Sequence, residues 1–114
     1  MNELAQLHCS VVTSATQRLN ERDIRQYIEK LPGWQVYDND GEPRLEKAFS
    51  FKDFDQAIAF TNRVAGVANE EDHHPAILTE WGKVTVTWWT HKVKGLHQND
   101  FIMAAKTDQL YIVA

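Results

Sequence analysis

The sequence predicts an α+β fold, an antiparallel four-stranded sheet built from two hairpins with three helices packed on one face. Two kinds of periodicity carry this reading. Apolar residues recur at helical spacing in three separate segments. Between them lie two pairs of strand-like stretches, each pair joined by turn-forming residues. The order is helix, two strands, helix, two strands, helix. Local hairpins pair antiparallel, and helices long enough to cover a sheet face give a layered α+β arrangement in place of an alternating parallel one.

The first helix starts at Asn20, a capping residue followed by Glu21 and Asp23, and its apolar positions Ile24, Tyr27, Ile28 and Leu31 follow i, i+3, i+4, i+7. Pro32 and Gly33 stop it. Trp34 and Val36, then Leu45, Ala48 and Phe49, flank the polar run Asp38-Asn39-Asp40-Gly41-Glu42-Pro43, which reads as a hairpin with a long loop. Asp53 opens the second helix, whose apolar face is expected to comprise Phe54, Ala57, Ile58, Thr61, Val64, Ala65 and Ala68. Pro75 forbids its continuation. Residues 77–81 and 83–91 then form a second hairpin around Gly82, expected at the positive φ of a tight turn. Gln98 or Asn99 begins the last helix, which runs through Phe101, Ile102, Ala105 and Leu110.

With 114 residues there is room for one domain, taken as residues 20–114 behind a flexible arm, residues 1–19, that shows no period. The net charge of −4 provides no general attraction to nucleic acid or to anionic lipid. No apolar run approaches the roughly 20 residues that span a bilayer. The single Cys9 cannot pair within the chain, and the first basic residue, Arg18, comes too late to begin a secretory signal, so a cytoplasmic location is expected.

Chemistry concentrates at one end of the second hairpin. His73 and His74 precede one strand and His91 ends the other, so closing the turn at Gly82 brings three imidazoles together. Imidazole titrates near neutrality, which suits such a group to giving and taking protons without a metal. For each histidine alone, a solvated loop or a backbone-held strand end is the plainer reading; convergence favours a site. A three-histidine zinc centre is the weaker alternative, because neighbouring side chains of an extended segment point apart. His8-Cys9 lacks a second cysteine for a metal motif, and His97 reads as loop surface or helix entry. No nucleophile elbow and no glycine-rich phosphate loop is present. Trp88 is assigned to the core. Trp89, on the opposite face with His91, needs cover from a ligand ring, a neighbouring subunit or the arm.

The run Asp72-His73-His74-Pro75, the aromatic Trp81, the strand end Thr90-His91, then Gly95-Leu96 and Asp100 resemble the pterin-4a-carbinolamine dehydratase family. The likeness covers about residues 31–110, including Leu31-Pro32-Gly33-Trp34 and Ala59-Phe60-Thr61-Asn62. Residues 78–83, through Trp88-Trp89, look most like bacterial members associated with phenylalanine hydroxylase. The resemblance implies metal-free, cofactor-free dehydration of 4a-hydroxytetrahydrobiopterin to quinonoid dihydropterin, which recycles the pterin after an aromatic amino acid hydroxylase. It implies His73 and His91 as the acid-base pair with His74 completing the catalytic group. Asp72, Trp89, Thr90 and Asp100 would form the substrate-binding set, with His74 helping to hold the pterin, and Asp100 would orient an imidazole or cap the last helix. Homodimers or homotetramers are also implied. The alternative function is a non-catalytic partner-binding module, since some animal members act as dimerisation cofactors of a homeodomain transcription factor. Without a hydroxylase, a role in molybdenum-cofactor enzyme function or another pterin pathway becomes more attractive. Two positions depart from the family pattern: Asn69 stands where an ionisable residue is usual, with Glu70 or Glu71 as its possible substitute, and Asn99 stands where some animal members carry Arg.

Overall fold

A computed structural model describes residues 3–112. Its elements are α1 (Glu21–Ile28), β1 (Gln35–Asn39), β2 (Glu42–Ser50), α2 (Phe54–Glu71), β3 (Ala76–Glu80), β4 (Lys83–Trp88) and α3 (Gln98–Leu110), with single 3-10 turns at Glu3–Gln6 and His91–Val93. The four strands form one antiparallel sheet in the order β1-β2-β4-β3, so the two hairpins meet along β2 and β4. The expected α+β architecture of a four-stranded antiparallel sheet and three helices is what the chain adopts.

Local chemistry sets the element ends. Asn20 and Asp53 accept the backbone N–H groups of Asp23 and Gln56, each at 2.9 Å, satisfying donors that a helix start leaves free. The first hairpin is tighter than its polar run suggested. β1 and β2 pair from Asn39–Glu42 outward, and Asp40 and Gly41 alone make the turn, at φ 52° and 83°. Positive φ at both central residues is the type I′ geometry that Asp-Gly favours, because it matches the strand twist. Gly82 differs from expectation in another way: its φ is not positive. What it allows is close approach, since a Cβ there would lie 3.3 Å from the Phe51 carbonyl oxygen, and Phe51 N–H donates to Gly82 C=O at 2.9 Å.

One sheet face carries the core. Leu45, Phe49, Val84, Val86 and Trp88 share it and are all essentially inaccessible. α2 covers this face with Ala57, Phe60, Val64 and Ala68. That stripe is rotated from the predicted one, leaving Phe54 and Ile58 exposed and bringing in Phe60. The reason is aromatic: Phe60 sits 4.9 Å from the Phe49 ring and 5.1 Å from Phe51, with Tyr111 closing the cluster at 5.9 Å. α3 lies at the centre of the molecule and is buried almost all round from Asn99 to Ala105. α1 reaches the core through Tyr27, whose ring stacks on Phe101 at 5.0 Å. The segment ahead of α1 lies against the domain: Leu4 and Ala5 are buried, Lys106 Nζ donates to the Ala5 carbonyl, and Leu19 N–H donates to Leu96 C=O. Among the described residues, no helix is long and apolar enough to cross a membrane.

Candidate active site

The end of α2 and the end of β4 meet at α3. α2 stops at Asp72, which takes the left-handed conformation (φ 52°, ψ 44°), and His73 N–H donates back to the Ala68 carbonyl at 3.1 Å. This turn delivers His73 to the side of α3. Its Nε2 lies 2.6 Å from Asp100 Oδ1, and its ring stacks on the Trp88 ring at 5.7 Å and 9°. Trp88 is itself fixed, fully buried and donating Nε1–H to Thr107 Oγ1 at 3.1 Å.

Asp100 is a fully buried carboxylate that accepts three hydrogen bonds. Besides His73, Thr90 Oγ1 donates to its Oδ2 at 2.8 Å and the backbone N–H of His97 at 3.0 Å. The two roles foreseen for it therefore coincide, since it both holds an imidazole and closes the capping box of α3. His97 is the N-cap: its Nδ1 accepts the Asn99 N–H at 3.0 Å, which requires a neutral ring, and burial holds its pKa below the ordinary value. A carboxylate can only accept, so His73 carries its proton on Nε2. His73 Nδ1 is then left without a protein partner among the described residues.

Beside this core lies an open cleft of about 380 Å³, lined by Asp72, His73, His74, Trp89, Thr90 and His91 together with residues 9–12, Glu71, Lys92 and Asn99. All three predicted histidines and three of the four predicted substrate-binding residues, Asp72, Trp89 and Thr90, thus line one cavity. Asp100 does not line it; it stands behind His73 and Thr90 and reaches the cleft only through them. The strand that was to carry His91 is shorter than expected. β4 ends at Trp88, Thr90 turns its hydroxyl to Asp100 and makes an isolated bridge with Gly95, and His91 opens a 3-10 turn.

His74 is exposed, its Nε2 3.0 Å from Asn69 Oδ1, so Asn69 serves as its hydrogen-bond partner. His91 is exposed and lies 4.7 Å from the Trp89 ring. Trp89 is nevertheless only 9% accessible, because the Arg44 guanidinium covers it, 3.9 Å from a ring centroid. Its Nε1 is buried with no hydrogen-bond partner among the described residues.

Glu71 is not free to act as an acid at the cleft. Its Oε1 accepts the Cys9 N–H at 2.7 Å, its Oε2 lies 2.7 Å from His8 Nδ1 and 4.0 Å from Lys106 Nζ, and the Cys9 hydrogen bond leads in holding its pKa below the usual value. Asn99 is likewise committed, to Ser10. Burial, then the Glu71 charge, pushes the Cys9 thiol up to about 12. The lining contributed by residues 9–12 was missed in the sequence: these residues show no period, and they are held by polar side chains distant along the chain.

The family model described as pterin 4 alpha carbinolamine dehydratase matches residues 17–110. A relative from Marinobacter nauticus, described as "Putative pterin-4-alpha-carbinolamine dehydratase", is 52% identical over 97% of this chain and 100% of its own length. One from Microcystis aeruginosa with the same description is 53% identical over 97% of this chain and 96% of its own. Among solved structures, a transcriptional coactivator/pterin dehydratase from Brucella melitensis superposes with a TM-score of 0.75 at 34% identity, covering 82% of this chain and 98% of that one. A pterin dehydratase-like protein identified as a RuBisCO assembly factor in the alpha-carboxysome gives 0.58 at 25% identity, over 68% and 88%. The chain belongs to the pterin-4a-carbinolamine dehydratase family of hydro-lyases.

Proposed function

We propose that the protein dehydrates 4a-hydroxytetrahydrobiopterin, using His73 and His91 as its proton-transfer pair. The observation that carries this reading is the 2.6 Å contact of His73 Nε2 with a fully buried carboxylate in a cleft that also holds His91. The Asp100 contact fixes the tautomer, so neutral His73 presents the Nδ1 lone pair as a base. His91 is exposed and in contact with solvent, which suits it to supply the acid.

The reaction needs one proton in and one proton out. His91 protonates the hydroxyl on C4a, which leaves as water with the electron pair of its C–O bond. His73 removes the N5 proton, and the N5–H electrons become the C4a=N5 bond of the quinonoid dihydropterin. Charge and atoms balance, because the imidazoles exchange protonation states and solvent resets them. Positioned acid-base groups of this kind contribute about 10²–10⁴-fold each. The cleft volume lies within the roughly 300–1,000 Å³ usual for small-molecule sites. His74, held by Asn69, together with Asp72, Trp89 and Thr90, forms the surface on which the pterin is held.

The wider setting follows from this chemistry: the product is the substrate of a pterin reductase, and an aromatic amino acid hydroxylase is the source of the carbinolamine. We place the protein in the cytoplasm as a homodimer or homotetramer. A partner-binding role is the second reading, supported by the exposed Leu78 and Trp81 on the second hairpin. To separate the two, the carbinolamine is generated in a rapid mixer and quinonoid dihydropterin is followed by absorbance. Acceleration over the spontaneous rate supports the enzyme; a folded protein with none supports the binding module.

A further inference from the structure

Residues 9–12 form one side of the cleft, and the way they are tied down is unusual for an arm. Glu71 accepts the Cys9 N–H, and Lys92 Nζ donates to the Val12 carbonyl at 3.3 Å. Between these ties, the Asn99 side-chain amide pairs with both peptide groups of Ser10: Ser10 N–H donates to Oδ1 at 2.9 Å, and Nδ2 donates to Ser10 C=O at 2.8 Å. Asn99 is 2% accessible, so this is a built contact in a desolvated place. Both main anchors adjoin the site, Asn99 just before Asp100, which holds His73, and Glu71 just before Asp72 and His73.

Val11 is different. It is fastened on both sides, yet its side chain is 87% exposed and its own N–H and C=O have no protein partner among the described residues. Ser10 spends both its N–H and its C=O on Asn99, whereas Val11 keeps an N–H and a C=O to offer on a segment that lines the cleft. The 2-amino-4-oxo ring of a pterin carries an amide edge of the same kind as Asn99, one N–H beside one C=O.

We propose that residues 10–12 are a substrate-binding strap in which the Val11 peptide hydrogen-bonds the amide edge of the pterin. This rests on the pterin reading above and adds a specificity element to it. The strap selects a lactam-edged bicycle through backbone groups, so Val11 tolerates most side chains but not the loss of its N–H.

The test uses the full chain and 6-methylpterin, a stable ring that retains the amide edge. Amide exchange is followed by NMR with and without the ligand, and Val11→Pro is compared with Val11→Ala in the dehydratase assay. The strap predicts at least about tenfold slower exchange at the Val11 amide. It also predicts a KM raised about tenfold in Val11→Pro with kcat retained, and a much smaller rise in Val11→Ala, which keeps the N–H. The exchange measurement on the unaltered chain stands even if the proline variant misfolds. Protection confined to Asp72, His73 and His91 overturns the strap and leaves the pterin reading intact. No response anywhere overturns both.

Discussion

Replacing Asp100 by Asn tests how the buried carboxylate works, because it keeps the shape and changes one acceptor into a donor. In the native site, Oδ2 takes the Thr90 hydroxyl and the His97 N–H, while Oδ1 faces His73 Nε2. The His97 N–H can only donate, so the amide oxygen of the variant must stay on that side and its NH2 must face His73. His73 can then satisfy the contact only by accepting at Nε2, which moves its proton to Nδ1 and removes the lone pair assigned to the N5 proton. Losing one general base predicts a kcat lower by about 10²–10⁴-fold, or roughly 3–5 kcal/mol in the barrier. The lost charged hydrogen bond costs about 1.5–3 kcal/mol of stability, a fall in melting temperature of roughly 6–13 °C. Stopped-flow absorbance reads the rate, and ¹⁵N shifts of the His73 ring read the tautomer. A folded Asp100→Asn with turnover within about twofold of wild type refutes the positioning role, and so does an unchanged tautomer.

Further expectations are independent of that one. Phe60→Ala should destabilise by about 3–5 kcal/mol in chemical denaturation, whereas Ile58→Ala, on the exposed side of α2, should cost under about 1 kcal/mol; equal losses would contradict the packing of α2. Cys9, with its pKa pushed from 9.0 to about 12, should alkylate far more slowly at neutral pH than a free thiol and regain ordinary reactivity in denaturant. Glu71 has a lowered carboxyl pKa, so its contribution is complete above the unfolded value of 4.5 and is lost as pH falls through the lower folded value. The melting-temperature gap between wild type and Glu71→Gln should accordingly hold at neutral pH and close below pH 4.5. The lowered pKa of His97 also favours the folded state at higher pH: its contribution is complete above 6.5 and declines as pH drops toward the folded value, which fluorescence-monitored unfolding of wild type against His97→Asn should reveal.

Much of this arrangement is legible in sequence, and what is not has a physical reason. Asn20 and Asp53 announce their helices because caps are local, and His73, His74 and His91 can be placed together because a hairpin fixes which ends meet. The tightness of the first turn was also encoded, in Asp40-Gly41, but the surrounding polar residues disguised it as a loop. Alternation carried β4 on to His91, because a pattern of side chains cannot show that the Thr90 hydroxyl is claimed by Asp100. Phe60 joined the core through rings on β2 and at Tyr111, partners that helical spacing alone does not reveal. The strap was the least visible element. Its ties run from Cys9 to Glu71 and from Ser10 to Asn99, and they use side-chain groups on backbone, which leave no periodic trace.

The measurement that bears most directly on the central claim is the transient dehydration assay on the His73→Ala, His91→Ala double variant beside each single variant. If the two imidazoles share one proton exchange, each single variant loses turnover at unchanged fold, and the double variant falls to the spontaneous rate. A folded double variant that still accelerates the dehydration as wild type does would contradict the account.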